Sequence, residues 1–240
     1  MNYSILRKLV SSVLFTGVLI AASSAETSVK DLQMAPVNPD FTAYQAIEKT
    51  GKVQTYTKDW NALGEMPNPI DKSYLKNFIL PPSKNAEAKS LPASFDLRGT
   101  DKLPAVRNQA GCGSCWTFGS LASLESGMLP GEVWNFSENN MKNTHGFLSS
   151  PCAGGNDNMA SAYLLRWSGP ILEADDPYND IDVSDSPAGL SPRKHVQNIY
   201  DLTGDFTELK QAIMSHGAVK VSMFWADAAY NSTNYSYYYQ

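Results

Sequence analysis

The stretch GCGSCWTFGS, residues 111 to 120, decides how the rest of the chain is read. It sets Cys112 and Cys115 three apart, ahead of a run in which Phe118, Leu121, Leu124 and Met128 recur at three- and four-residue steps. That period predicts an amphipathic helix that begins at Cys115 and is stopped by Leu129-Pro130-Gly131. A thiol in the first turn of a helix faces unpaired backbone N–H groups and the positive end of the macrodipole. Both favour the thiolate, the form in which cysteine is a nucleophile.

Around this stretch the chain divides into three parts. Arg7 and Lys8 precede an apolar run from Leu9 to Ala22, followed by the small residues Ser23, Ser24 and Ala25, which predicts a signal peptide over 1–25. About fourteen apolar residues fall short of the roughly 20 needed to cross a hydrocarbon core, so no stable membrane anchor is expected after its removal. The expected compartment is secreted or otherwise extracytoplasmic, where disulfides persist. Residues 26–90 are polar and proline-punctuated, and read as a leader or accessory segment with one short helix in FTAYQAIEKTG. The main domain is expected over 91–240. A net charge of -5, with no basic stripe, leaves nucleic acid without an electrostatic footprint.

Three further elements are predicted. A helix from Asn156 or Asp157 to Trp167 places Met159, Tyr163 and Trp167 four apart, with Gly169-Pro170 beyond. Another follows Asp205, whose spacing to Glu208 fits a capping box, and stops at Gly217. After it, AVKVSMF alternates Val219, Val221 and Met223 against Lys220 and Ser222, the pattern of a half-buried strand. Helices first and strands last, without regular alternation, argue for an α+β fold.

Three readings compete for the cysteines. A metal site needs four ligands, and neither a second C-x-x-C nor an H-x3-5-H pair accompanies the first, so no metal or other cofactor is expected. A redox dithiol of Cys112 and Cys115 belongs in a strand-turn-helix unit, yet RGTDKLPAVRNQA before it lacks an apolar strand. The third reading pairs Cys112 with Cys152 and leaves Cys115 free. That closure would stabilise the fold by roughly 3 to 4 kcal/mol on the chain-entropy account.

Gln109-Ala-Gly-Cys112-Gly113-Ser114-Cys115-Trp116, with LPASFDLR upstream and PCAGGN downstream, resembles the papain-like cysteine peptidases. FSENN at 136–140, EADDPY at 173–178 and ELKQAIMSHGAVKVSM at 208–223 also resemble segments of that family. The resemblance runs from about Leu91 to near the end, and the leader does not match the family's usual helical pro-segment. It implies a two-lobed fold with a complete helical lobe and a partly present strand-rich one. It implies that Cys115 is the nucleophile, that Gln109 with the Cys115 N–H forms the oxyanion hole, and that Gly113, Gly154 and Gly155 line the peptide. Substrates would be peptides or proteins, and the enzyme a monomer.

The same family places its catalytic histidine, with an asparagine, about 130 to 150 residues after the cysteine. That window opens at about position 245, so both are expected beyond Gln240, and the chain is expected to be poorly active alone. His145, His195 and His216 read as surface or helix-end residues. The rivals to an endopeptidase are a non-catalytic relative that binds peptide or carbohydrate in the same cleft, and a dithiol oxidoreductase.

Overall fold

The computed structural model describes residues 34–74, 91–202 and 205–239. The chain divides into two compact units, Met1–Met34 and Ala35–Gln240, and all described residues except Met34 belong to the second. The expected signal peptide at 1–25 lies outside the described residues, as do 26–33 and 75–90 of the expected leader.

Each helix begins where a side chain can satisfy its orphan N–H groups. In α1 (Pro39–Glu48), Asn38 accepts from the Asp40 N–H and proline occupies the first turn. Ser137 caps α3 (Glu138–Thr144) through the Asn140 N–H, and Asn156 caps α4 (Asp157–Leu165) through the Met159 N–H. Asp205 accepts from the Thr207 and Glu208 N–H groups to open α5 (Phe206–His216), and Gly217 follows at φ 111°, a conformation that favours glycine. The helix α2 (Cys115–Met128) is the exception, because its N-cap Ser114 makes no side-chain cap bond. The Ser114 hydroxyl is engaged with the Tyr178 hydroxyl at 2.7 Å instead.

The core lies where α2, α3 and α4 meet. Trp116, Leu121, Phe136, Met141, Met159, Ala160, Tyr163 and Leu164 form one buried cluster, with Leu124 and Met128 packed on its margin. Removing a side chain of this size from water stabilises the fold by about 1.5–3 kcal/mol. A charged cluster is buried beside it: Arg107 reaches Glu125 and Glu138 at 2.7 Å each, and both carboxylates are almost wholly inaccessible. Glu125 also accepts the Phe136 N–H at 2.8 Å, which ties the segment after α2 to the helix.

Two expectations need correction. The second domain helix stops at Leu165, two residues short of Trp167, which adopts φ 62° and is half exposed. More substantially, 218–224 forms no strand; among the described residues the ladder is the short hairpin of β1 (Tyr230–Asn231) and β2 (Ser236–Tyr237). The alternation is not followed either. Val221 and Met223 face solvent, whereas the Lys220 side chain is only 12% exposed. The reason is that no described strand lies beside 218–224 to cover an apolar face, while three polar partners draw the lysine inward.

Candidate active site

Cys115 is the first residue of α2, and it is the free cysteine of the chain. Cys112 and Cys152 are joined by a disulfide across 40 residues, which leaves the dithiol oxidoreductase reading without a second thiol at Cys115. The bridge brings PCAGGN against the start of α2. Gly113 is pressed there so closely that a Cβ would lie 2.5 Å from the Cys152 carbonyl oxygen. Gly155 is packed on Trp116, whose ring atoms would come within 2.4 Å of an added Cβ. Gly154 adopts φ 105° beside the Gly64 carbonyl. Tyr178, from EADDPY, fastens the loop from below by donating to the Gln109 carbonyl at 2.8 Å.

The space between these glycines and the sulfur is occupied by residues 55–66. Residues 55–63 fold back on themselves, with Tyr56 bridged to Ala62 and the Leu63 N–H donating to the Thr55 carbonyl. The Gln109 amide donates to the Ala62 carbonyl at 2.7 Å and to the Cys112 carbonyl at 3.2 Å. Gly64 packs on Gly113, where any side chain would collide with the Gly113 carbonyl. Its neighbour Glu65 forms a parallel bridge to Gly155: the Gly155 N–H donates to the Gly64 carbonyl, and the Met66 N–H donates to the Gly155 carbonyl, both at 2.8 Å. The Glu65 carboxylate then meets Lys220 and Ser222 at 2.8 Å, and Lys220 also binds Asp157 at 2.6 Å.

Electrostatics at the sulfur differ from what a helix start alone predicts. Burial pushes the Cys115 thiol above its ordinary value, and the Glu65 carboxylate adds to this. Hydrogen bonds from the Gly64 and Trp116 backbone, with Lys220, pull the other way without prevailing. The thiol is therefore protonated at neutral pH in this arrangement. A helix end contributes about 0.3–1 kcal/mol, and desolvation of a thiolate outweighs that.

The rings of His145 and His195 make other contacts. His145 accepts from the Phe147 N–H at 2.9 Å and sits edge-on to Trp116, and His195 stacks on Trp167. His216 ends α5. Glu65, Asp157, Tyr178 and Lys220 escaped the sequence reading. Tyr178 lies inside a segment that resembled the family, whereas Glu65 and Lys220 carry no local signal because they meet only across 155 positions.

With this geometry in place, the comparisons are decisive about class. Residues 91–239 match the profile of the papain family of cysteine proteases, and the chain belongs to that family. The viral cathepsin of Autographa californica nuclear polyhedrosis virus is 37% identical over 111 residues, 45% of this chain and 32% of that protein. Cathepsin L 2 of Paramecium tetraurelia is 29% identical over 182 residues, 70% of this chain and 56% of that protein. Among solved structures, the cysteine protease and lectin-like domains of Cwp84 from Clostridium difficile superpose with a TM-score of 0.56. The identity is 19%, over 76% of this chain and 39% of that one, a likeness of fold. The chain thus spans 32% and 56% of the lengths of the two relatives.

Proposed function

We propose that the chain carries the nucleophilic centre of an exported, monomeric cysteine endopeptidase acting on peptide or protein substrates. Cys115 attacks the scissile carbonyl as its thiolate. A C–S bond forms, the C–N bond breaks as the amine leaves with a proton, and water then hydrolyses the thioester. Gln109 and the Cys115 N–H donate to the oxygen on which negative charge develops, a role worth about 3–4 kcal/mol per donor in such enzymes. Gly113, Gly154 and Gly155 let the substrate backbone approach.

One observation supports this reading above the rest: a stretch of peptide already lies against Cys115, with the Ala62 carbonyl on Gln109 and a parallel bridge of Glu65 to Gly155. That peptide belongs to the leader, whose residues 62–66 act as a built-in occupant of the cleft. The group it turns to the sulfur is the Gly64 N–H, a hydrogen-bond donor and not an electrophile. None of His145, His195 and His216 is assigned the acid–base role, since the rings of His145 and His195 are engaged elsewhere and His216 lies exposed at the end of α5.

Transfer of the acyl group of a small peptide thioester onto Cys115, read by intact mass, isolates the nucleophilic step from protonation of an amine. After limited proteolysis of the leader, one acyl group per chain is expected, and none with Cys115→Ala. Acylation at another residue, or none at all, rejects the assignment. A second reading, a non-catalytic relative that only binds peptide, draws on the raised thiol pKa. With the leader removed, a modification rate that is flat across neutral pH favours the enzyme, and one that climbs above pH 8.5 favours the binder.

A further inference from the structure

Lys220 is the residue of the cleft least expected from its surroundings. It is drawn inward from an otherwise exposed stretch, and α2 makes room for it. Gly119, one turn after Cys115, has no side chain where the Lys220 stem passes, and a Cβ there would lie 2.9 Å from Lys220 Cγ. The ammonium is fixed from two sides, by Asp157 at the start of α4 and by Ser222 two residues on. Burial pulls it down, but its two carboxylate partners more than offset this, so it is charged. Its remaining reach is into the groove. There the bridge of Glu65 to Gly155 sets the side chain that Lys220 meets, so backbone pairing and carboxylate recognition act on the same residue.

We propose that Lys220, seated over Gly119 and steered by Asp157, is a specificity-determining residue that selects a carboxylate side chain on whichever peptide residue pairs with Gly155. The leader satisfies it with Glu65, and a substrate satisfies it with glutamate at the same place. This deepens the reading of the groove as a peptide-binding cleft and rests on it. Ser222 supplies a neutral donor to the same oxygen, so glutamine is accommodated but bound less tightly.

The test uses protection of Cys115 in the full chain. Glu65→Lys removes the leader's own carboxylate, and iodoacetamide should then modify Cys115 several-fold faster than in the unaltered protein. The nonapeptide WNALGEMPN, residues 60–68, is added alongside versions with glutamine or leucine in place of its glutamate. The glutamate peptide should halve the rate at a concentration about tenfold lower than the others, the size of one hydrogen bond to a buried charge. Adding Lys220→Gln should erase that difference. Equal protection by all three peptides overturns the role of Lys220 while leaving the cleft intact. No protection by any of them overturns both. Glu65→Gln, which preserves shape, gives an independent arm: modification faster than in the unaltered chain supports the proposal, and an unchanged rate overturns it.

Discussion

The segment from Arg107 to Asp176 and the segment after Gly217 are built on opposite terms. In the first, Leu121, Phe136, Met141 and Tyr163 are wholly buried, and even charged and amide groups are enclosed with partners. Asn139 and Asn140 both donate to the Asp176 carboxylate, and Tyr163 donates to Asn140. In the second, Val221, Met223 and Phe224 are each more than half exposed. The cleft lies where the two meet, with the thiol held by the closed half and its lysine by the open one. Precision in the placement of Cys115 thus comes from a packed core, whereas the head group of the side chain that reads the occupant is held by polar contacts.

The difference is sharpest when partners are removed. Arg107→Ala would strand the Glu125 and Glu138 carboxylates in the core and should cost about 3–5 kcal/mol, read by denaturant unfolding. A loss under about 1 kcal/mol would mean that the closed half is not closed. Replacing Cys112 and Cys152 together by serine should cost roughly 3 to 4 kcal/mol, since the cross-link then no longer restricts the unfolded chain. Leu121→Ala should cost about 2–5 kcal/mol, as the cavity cannot collapse between α2 and α4.

Smaller effects follow from titration. Burial lifts the Glu138 carboxyl to about 6 from 4.5, with Arg107 opposing it. Because the folded state holds this proton more tightly than the unfolded chain, its contribution to stability is full below pH 4.5 and is lost as pH rises to about 6. The change should approach 2 kcal/mol, and Glu138→Gln should flatten the profile in that window. At the bottom of the scale, Met223→Ala should shift stability by no more than about 0.5 kcal/mol. A cost like that of Leu121 would show that the open half is packed after all.

Much of this was legible along the chain. The caps Asn156 and Asp205, the stop at Gly217, and the spacing of Leu121 and Leu124 are local signals. They act within a turn or two of their partners, so sequence order preserves them. The strand expected in AVKVSMF failed because alternation reports a strand only when a neighbour covers one face. The lowered thiol pKa failed for a related reason: the helix end is local, but the burial that overrides it is tertiary, and the charge that adds to it is on Glu65, 50 positions upstream.

By itself the sequence determined the class of protein, the helices of the core and the thiol at the head of α2, because each is written in contiguous spacing. Only the tertiary structure decided that the Ala62 carbonyl rests on Gln109 and that Lys220 turns inward over Gly119 to meet Glu65. Ion pairs and backbone ladders between distant segments depend on where the folded chain returns, and no local pattern encodes that return.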